Sequence, residues 1–481
     1  MGIRTGQAYL AGLRDGRNVW IHGERVEDVT TYPGLCRGAA SIAQLLDRQH
    51  DEGLIDLLSY ASEAGDERFG MSFLRPCSPE DVARRGAAMY DWAKWSAGML
   101  GRTPDYLNVS FMAFAAAAEY FARCQPAFGD NIRRYYEKIR HEDLVLTHTL
   151  VNPQVNRRLS ADGTPSEEVA LHVVKETDAG LVVRGARLLA TLGPLSDEIA
   201  VFPSTVLKAV PESRPYALAF AVANNTPGLK YLCRDSYDAG KSHFDAPLSS
   251  RFEEMDAVVI FDNVVVPWER VFLYDDPTLC NEAYGATNAI VHMMHQVVCK
   301  NLAKAEFIVG LLCAMTQASE RHNDLRVQGM IAEAMWIAES MRAFLRVSEV
   351  DAKADVWGTF TPQRRPLDTA RNLFPNMYPR LVELVQLLGS SSLMATPCEA
   401  DFSGEIADDV ERYFHLANLN ARDRIALFRL AQDVAASGFG NRQVLYERFF
   451  FGPPERTAAA YFTIYDKEPL IERVRELLAR V

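Results

Sequence analysis

Three side chains in the first third of the chain can hold or move charge: Arg102, Tyr106 and His148. The segment GRTPDYLN carries the first two, and the apolar run LVLTHTLVN carries the third. A histidine titrates near neutral pH and can act as a general base, while an arginine stays charged and can stabilise an anion. Taken alone, an arginine or tyrosine at a helix start is usually a surface or capping residue. A histidine in an apolar strand is usually a hydrogen-bonded core residue.

The residues around Arg102 predict the start of a helix. Thr103 suits the N-cap, Pro104 the first helical position, and Asp105 the positive end of the helix dipole. Arg102 then lies just before the helix, and Tyr106 falls in its first turn. Both side chains can therefore face one pocket at the positive end of that helix.

The periodicity of the chain changes twice. From residue 79 to about 139 the spacing is helical, beginning after a capping Ser78, and between about 143 and 274 runs rich in β-branched and aromatic residues alternate with turn residues. Helical spacing returns from about 282 to the end, where four longer segments suggest a bundle. The segment VWGTFTPQRRPLDTARNLFPN is expected to be a loop. We therefore predict an α+β protein: an N-terminal helical domain (1–142), a central β barrel or sandwich (143–276), and a C-terminal four-helix bundle (277–481).

Composition and charge exclude several classes of protein. The 481 residues carry 51 basic and 63 acidic side chains, a net charge of −12 with no Lys/Arg run, which disfavours nucleic-acid binding. The eight cysteines are scattered without a Cys-x-x-Cys motif, so neither a disulfide scaffold nor a metal site is expected. There is no secretory signal pattern and no membrane-spanning apolar stretch, so we expect a cytoplasmic protein.

General motifs do not assign a function. The Gly-x-Gly in SGFGNRQ lacks the third glycine and the preceding strand of a dinucleotide fold. The chain has no Walker loop, no His-Glu-x-x-His and no Gly-x-Ser-x-Gly.

Longer motifs, in their order, carry a more specific signal. These are GQAYLAGLRDGR, WIHGERVEDVTTYPG, GRTPDYLN, LTHTLVNPQVNR, KETDAGLVVRGARLLATLGPLSDE, APLSSRFEEMDAVVIFDNVVVPWERVFLY and GFGNRQVLYERFFFG. Together they resemble the 4-hydroxyphenylacetate 3-monooxygenase oxygenase family over nearly the whole chain. The resemblance implies an acyl-CoA dehydrogenase-like fold and a homotetramer or homodimer. It also implies FAD, supplied as FADH2 by a separate NAD(P)H:flavin reductase, and O2, which react through a flavin hydroperoxide to ortho-hydroxylate a phenol such as a 4-hydroxyphenyl acid.

The same resemblance assigns roles to the three side chains. Arg102, Tyr106 and His148 match the family's catalytic arginine, tyrosine and histidine, and all three would contact the substrate. A phenol has a pKa near 10, so its activation needs a base or a nearby positive charge. Arg102 would stabilise the phenolate or the hydroperoxide, Tyr106 would hydrogen-bond the substrate oxygen, and His148 would be the base.

Cofactor and substrate contacts are implied in the same way. Ser204 and Thr205 match a substrate-contacting position, although ordinary strand residues would look the same. A glycine at a helix end would equally explain Gly440. The residues expected near FAD are His148, Thr149, Leu150, Gln154, Val155, Asn156, Arg157, Thr191, Phe439, Gly440, Asn441 and Arg442.

Three alternatives stay open. A related fold belongs to 4-hydroxybutyryl-CoA dehydratase, whose iron–sulfur cluster ligands resemble the spacing of His292 and Cys299, but this chain has no cysteine near GMLGRTPDY, where that enzyme's paired cysteines would fall. Related monooxygenases act on halogenated or nitro phenols, carrier-bound tyrosyl groups or heteroaromatic acids. Residues 237–246, expected to cover the substrate, differ most from the hydroxyphenylacetate enzymes. A non-enzymatic flavin-binding or scaffold protein is the third alternative.

Overall fold

The N-terminal part of the chain is largely helical in the computed structural model, which describes residues 2–65, 67–153, 169–203, 207–416 and 418–480. As expected, Ser78 caps the first long helix by accepting a hydrogen bond from the Asp81 amide. Two short hairpins interrupt the helices. The helices are α1 Gly6–Gly12, α2 Cys36–Asp47, α3 Ile55–Leu58, α4 Pro79–Trp95, α5 Asp105–Ala116, α6 Ala118–Ala122 and α7 Pro126–Glu142; the strands are β1 Val19–Ile21, β2 Glu24–Val26, β3 Ser59–Ala61 and β4 Arg68–Gly70.

Two packed sheets form the central part. The larger has the order β2-β1-β10-β11-β7-β6, so the N-terminal strands β1 and β2 extend it, and the smaller has the order β12-β9-β8-β5. Their facing sides share an apolar core, in which the rings of Phe220 and Phe261 meet at 5.9 Å. The strands are β5 Leu146–Thr149, β6 His172–Thr177, β7 Gly180–Thr191, β8 Glu198–Val201, β9 Leu218–Ala223, β10 Leu229–Cys233, β11 Asp256–Pro267 and β12 Val271–Tyr274.

A helical bundle forms the C-terminal part, around a 30-residue helix, α9, that is buried along most of its length. It packs against α10 and α11 and also against α4 and α5, so the bundle reaches the helix that carries Tyr106. The elements are α8 Pro277–Ala286, α9 Ala289–Ala318, α10 Leu325–Val350, β13 Lys353–Ala354, β14 Phe360–Thr361, α11 Arg364–Gly389, α12 Ala407–Phe414, α13 Ala421–Ala435, α14 Gly438–Phe449, α15 Pro454–Ile464 and α16 Glu468–Leu478.

Two local predictions were wrong. Of the segment expected to be a loop, residues 356–363 are turn and the short strand β14, but residues 364–376 form the first half of α11, although Pro375 and Pro379 lie inside that helix. A proline in a helix interior costs about 3 kcal/mol, but Phe374 and Tyr378 lie on a helical face that is almost completely buried, and burial of that face outweighs the lost hydrogen bonds. At α5 the N-cap is Pro104, because the Thr103 hydroxyl binds the Asp105 side chain instead.

No helix among these described residues has an apolar stretch long enough to cross a lipid bilayer.

Candidate functional site

Arg102 and Tyr106 meet at the start of α5. The Arg102 guanidinium lies 4.3 Å from the centre of the Tyr106 ring and 4.3 Å from that of Phe450. Its Nη1 donates a hydrogen bond to the Tyr446 hydroxyl at 3.1 Å. A guanidinium this close to aromatic faces is held by cation–π attraction, which grows as water is excluded. The arginine is therefore a fixed positive charge beside the Tyr106 ring.

His148 lies across the ring of Tyr106, on strand β5. The two rings meet edge to face with centres 5.5 Å apart, and β5 is held by parallel pairing with β8, where His148 lies opposite Ala200. Burial, and then the charge of Arg102, hold the pKa of His148 well below its usual value. The imidazole is therefore neutral at pH 7 and can accept a proton or a hydrogen bond. Among the described residues its buried Nδ1 has no hydrogen-bond partner.

Three of the residues expected near FAD lie together where β5 meets β7. The Thr149 hydroxyl donates to the Leu188 carbonyl at 3.2 Å, and the Thr191 carbonyl accepts from Thr147 at 2.6 Å. The Leu150 carbonyl accepts a hydrogen bond from the buried Arg187. Thr149, Leu150 and Thr191 thus lie near His148, where β5 meets β7. Their contact with FAD stays a prediction.

Six other predicted site residues fall outside the described part of the chain, and their placement is not tested. They are the FAD-contact residues Gln154, Val155, Asn156 and Arg157 and the substrate-contact residues Ser204 and Thr205.

The four predicted dinucleotide contacts on α14 have roles within the chain itself. Phe439 is buried in the core. A Cβ on Gly440 would lie 2.1 Å from the Val434 carbonyl oxygen, so a glycine is needed where α14 starts close to α13. Asn441 is exposed, and Arg442 pairs with Asp256 at 2.8 Å and Glu254 at 2.7 Å. These contacts account for Phe439, Gly440 and Arg442 without a ligand, so a role in FAD binding stays a prediction.

Residues 237–246 lie against the bundle. The backbone amides of Leu248 and Ser249, just after this segment, donate to Asp433 of α13 at 2.8 Å each. Tyr237 lies close to Gly438 at the start of α14. The segment therefore contacts the helix that carries Tyr446, and its covering the substrate stays a prediction.

Sequence reasoning missed Glu254, Asp256, Tyr446 and Phe450. Asp256 is the first residue of β11 and Glu254 lies two residues before it, inside the motif FEEMDAVVIF, while the other two lie in VLYERFF. Both motifs contribute to the resemblance, but no local pattern shows that they meet near residue 102. Two acidic residues ahead of an apolar strand are the one available signal, since buried carboxylates are rare unless they are paired.

The neighbours of His292 and Cys299 argue against the interpretation of these two residues as iron–sulfur cluster ligands. The guanidinium of buried Arg85 lies 2.7 Å from His292 Nδ1, and burial, followed by that charge, keeps the pKa of the imidazole well below its usual value. The Cys299 thiol donates to the Gly86 carbonyl, and burial raises its pKa well above the usual value. A group of three or more His, Cys, Asp or Glu side chains able to hold a metal is absent from the described residues. With Arg85 against His292 and Cys299 as a single thiol, this pair does not supply the several thiolate ligands that an iron–sulfur cluster needs.

Replacement of Asp105, which precedes Tyr106, should change how stability depends on pH. Burial raises the pKa of Asp105 to about 6, and one carboxylate oxygen has no partner among the described residues. Because the pKa of Asp105 is higher in the folded than in the unfolded protein, its ionisation opposes folding. The contribution of Asp105 to the free energy of unfolding is fully present below the unfolded pKa of about 3.9 and is lost as the pH rises through 6. Asp105→Asn should therefore increase the free energy of unfolding at pH 8 by up to about 3 kcal/mol and leave it nearly unchanged at pH 4.

Urea unfolding at the two pH values measures this difference. The exposed Asp130→Asn is the matched control and should shift stability little at either pH. An equal effect of Asp105→Asn at pH 4 and pH 8 would contradict the assignment.

Comparison with known families matches the chain along almost its full length. A family model described as 4-hydroxyphenylacetate 3-hydroxylase N terminal matches residues 5–273, and one described as 4-hydroxyphenylacetate 3-hydroxylase C terminal matches residues 280–479.

Individual relatives agree with the family models. The 4-hydroxyphenylacetate 3-monooxygenase oxygenase component of Geobacillus sp. (strain PA-9) is 46% identical over 480 residues, covering 99% of this chain and 97% of its own. The crystal structure of such an oxygenase component complexed with FAD and 4-hydroxyphenylacetate is 47% identical, with a TM-score of 0.95 over 99% of this chain and 98% of its own.

A distant match shows the fold alone. A 4-hydroxybutyryl-CoA dehydratase from N. maritimus superposes with a TM-score of 0.88 over 98% of this chain and 95% of its own, at 15% identity. The predicted α+β, acyl-CoA dehydrogenase-like fold is confirmed.

Proposed function

The chain belongs to the 4-hydroxyphenylacetate 3-hydroxylase family, and on that premise we propose that it hydroxylates 4-hydroxyphenylacetate ortho to the phenol group. It is the oxygenase component of a two-component aromatic monooxygenase that uses reduced FAD and dioxygen. The observation that carries the proposal is the meeting of a fixed arginine, a buried tyrosine and a neutral histidine around one ring, that of Tyr106.

The residues beside His148 suit a flavin ring. Val151 pairs with Leu188 at the end of β5, and these two side chains and Leu189 are 40%, 38% and 55% exposed. Such an apolar surface, next to an imidazole nitrogen that has no partner among the described residues, fits a planar ring that needs apolar contact and few polar groups. Thr149, Leu150 and Thr191 would hold FAD from this edge. When bound, reduced FAD supplies the two electrons that activate dioxygen for transfer of one oxygen atom.

Arg102 makes the phenol reactive. A full positive charge about 4 Å from a developing phenolate stabilises it by about 4 kcal/mol at an effective dielectric of about 20. That corresponds to about 3 pKa units, enough to bring a phenol from about 10 to about 7. The ring carbon ortho to a phenolate oxygen is much richer in electrons than that of a neutral phenol, so this charge sets the rate of attack by an electrophilic oxygen.

His148 accepts the phenol proton or its hydrogen bond. Because burial keeps the imidazole a weak base, transfer from an unperturbed phenol would cost about 5 kcal/mol or more, at 1.36 kcal/mol per pKa unit. Once Arg102 has lowered the pKa of the phenol by about 3 units, that cost falls by about 4 kcal/mol. Tyr106, between the two, hydrogen-bonds the substrate oxygen.

The oxygenase works with a separate flavin reductase and a phenolic substrate. We further propose that the chain assembles as a homotetramer or homodimer. A cytoplasmic location is supported by the eight cysteines, all of which are free.

The test is product analysis. The full-length protein is supplied with dioxygen, FADH2 from an NADH:flavin reductase, and 4-hydroxyphenylacetate, and 3,4-dihydroxyphenylacetate is measured by chromatography. Dihydroxy product well above the reductase-only control is expected. If only a nitro or halogenated phenol gives product, that phenol replaces 4-hydroxyphenylacetate as the proposed substrate. If no phenol gives product, the proposal is overturned.

Tyr106→Phe should weaken hydroxylation while leaving flavin-dependent dioxygen consumption largely intact, because only the hydrogen bond to the substrate oxygen is removed. Loss of one such bond costs about 1–3 kcal/mol, or about 5- to 150-fold in rate. The measurement is the ratio of product formed to dioxygen consumed. Wild-type coupling in this variant would remove Tyr106 from the mechanism.

A further inference from the structure

The backbone that carries Arg102 is clamped by one buried carboxylate. The amides of Gly101 and Arg102 both donate to Glu254 Oε1, each at 2.8 Å. The other carboxylate oxygen accepts from Arg442 Nη1 at 2.7 Å. Glu254 is 1% exposed, so these three charge-assisted hydrogen bonds form in a low dielectric, where they are strong.

The side chain of Arg102 is clamped by α14 and the residue that follows it. Tyr446 accepts the hydrogen bond from its guanidinium, and Phe450 stacks against the face of that group. Gly101 leaves room for this arrangement, since a Cβ there would lie 2.3 Å from the Tyr446 ring and hydroxyl. Tyr446 on α14 and Phe450 just after it therefore contact Arg102 directly, while Arg442 of the same helix reaches it through Glu254.

That helix is itself anchored. Glu447, next to Tyr446, accepts hydrogen bonds from Lys300 and Lys304 of α9, and all three side chains are buried. Arg442 is tied to β11 through Asp256. A helix fixed at both ends to α9 and β11 holds Tyr446 in place, and a hydrogen-bond partner held in place reduces the freedom of the arginine.

We propose that Tyr446 and Glu254 are positioning residues for Arg102: they hold its guanidinium against the substrate oxygen and so set how far a bound phenol is ionised. The inference rests on the proposed function, because it takes a phenol as the ligand that Arg102 faces. Neither residue needs to touch the substrate. Glu254 fixes the backbone, Tyr446 fixes the guanidinium, and the phenol responds to the distance of the charge.

The pKa of a bound chromophoric phenol tests the proposal without turnover. The full-length protein is titrated with 4-nitrophenol in the absence of reduced flavin, and the phenolate absorbance of the bound probe is followed against pH. Nearby charges shift a pKa by about 1–3 units, so the wild-type protein should lower the pKa of the probe. In the Tyr446→Phe variant the pKa of the bound probe should be about one unit higher than in the wild-type protein. In turnover this replacement should lower kcat about 10-fold with little change in KM.

Matched controls separate positioning from loss of stability. Tyr120→Phe removes another tyrosine hydroxyl bond, to the Leu279 carbonyl at 2.6 Å, and should leave the probe pKa unchanged. Glu254→Gln should act like Tyr446→Phe, because a single amide oxygen cannot accept both from the backbone amides of Gly101 and Arg102 and from Arg442. Glu198→Gln is its control, since Glu198 is also buried and accepts from two cations, Arg270 and Lys138.

The outcomes are distinguishable. If the wild-type protein lowers the pKa of the probe and the Tyr446→Phe and Glu254→Gln variants lower it by the same amount, the positioning role alone is overturned. A wild-type protein that leaves the bound probe at its solution pKa would overturn both this inference and the phenol-binding role given to Arg102 in the proposed function.

Discussion

Arg102→Gln is expected to lower the rate of hydroxylation by about 10³-fold, the largest effect of any single replacement in the site. The reason is the loss of about 4 kcal/mol of charge stabilisation at the phenolate, which leaves the bound phenol almost entirely protonated at pH 7. Glutamine keeps polarity and much of the length of the side chain, so the change isolates the charge. The measurement is the product-forming rate at saturating phenol and FADH2.

Two further variants sharpen the result. Arg102→Lys keeps the charge but loses the planar group that binds Tyr446 while stacking on Phe450, so an intermediate rate is expected. Arg123→Gln removes a guanidinium that lies 5.3 Å from the Tyr120 ring, outside the site, and should leave the rate unchanged. Equal rates for the Gln and Lys variants at position 102 would show that the charge is not what matters.

The sequence predicts the local structure around the site well. The helix that starts near residue 104 and the strand that carries His148 both follow from local signals, namely proline and an acidic residue at a helix start and a short apolar run of strand length. The meeting of Arg102 and Tyr106 on one side of that helix start follows from their spacing. These predictions depend only on neighbours within a few residues.

The contacts that fix Arg102 could not be predicted, because they join distant positions. Glu254 binds the amide of Arg102 across 152 residues, and Tyr446 binds its side chain across 344. The local spacing of residue types carries no information about contacts between positions so far apart in the sequence. Arg442 shows the same limit: no local pattern predicts its two carboxylate partners, Glu254 and Asp256, and its contact with the dinucleotide stays a prediction. Similarly, the prolines of α11 are local signals that tertiary burial overrides.

His148→Ala is expected to uncouple the reaction. Dioxygen should still be consumed, because Arg102 and the apolar edge beside β5 remain, but product per dioxygen should fall about 10²-fold, with hydrogen peroxide released instead. General-base contributions run from about 10² to 10⁴, and the lower end applies here because burial makes this imidazole a weak base. The measurement compares product, peroxide and dioxygen in the same reaction.

His148→Gln separates the two roles that a neutral imidazole can have. A glutamine carbonyl can accept the hydrogen bond of the phenol but cannot take its proton at neutral pH. If Arg102 supplies most of the ionisation, as the charge arithmetic indicates, His148→Gln should keep much more coupling than His148→Ala, and the gap should widen as the pH is lowered from 8 to 6.5. Over that range the wild-type imidazole stays neutral, because its pKa lies well below the usual value. Equal, complete uncoupling in both variants would instead make His148 the proton acceptor on which ionisation depends, with Arg102 secondary.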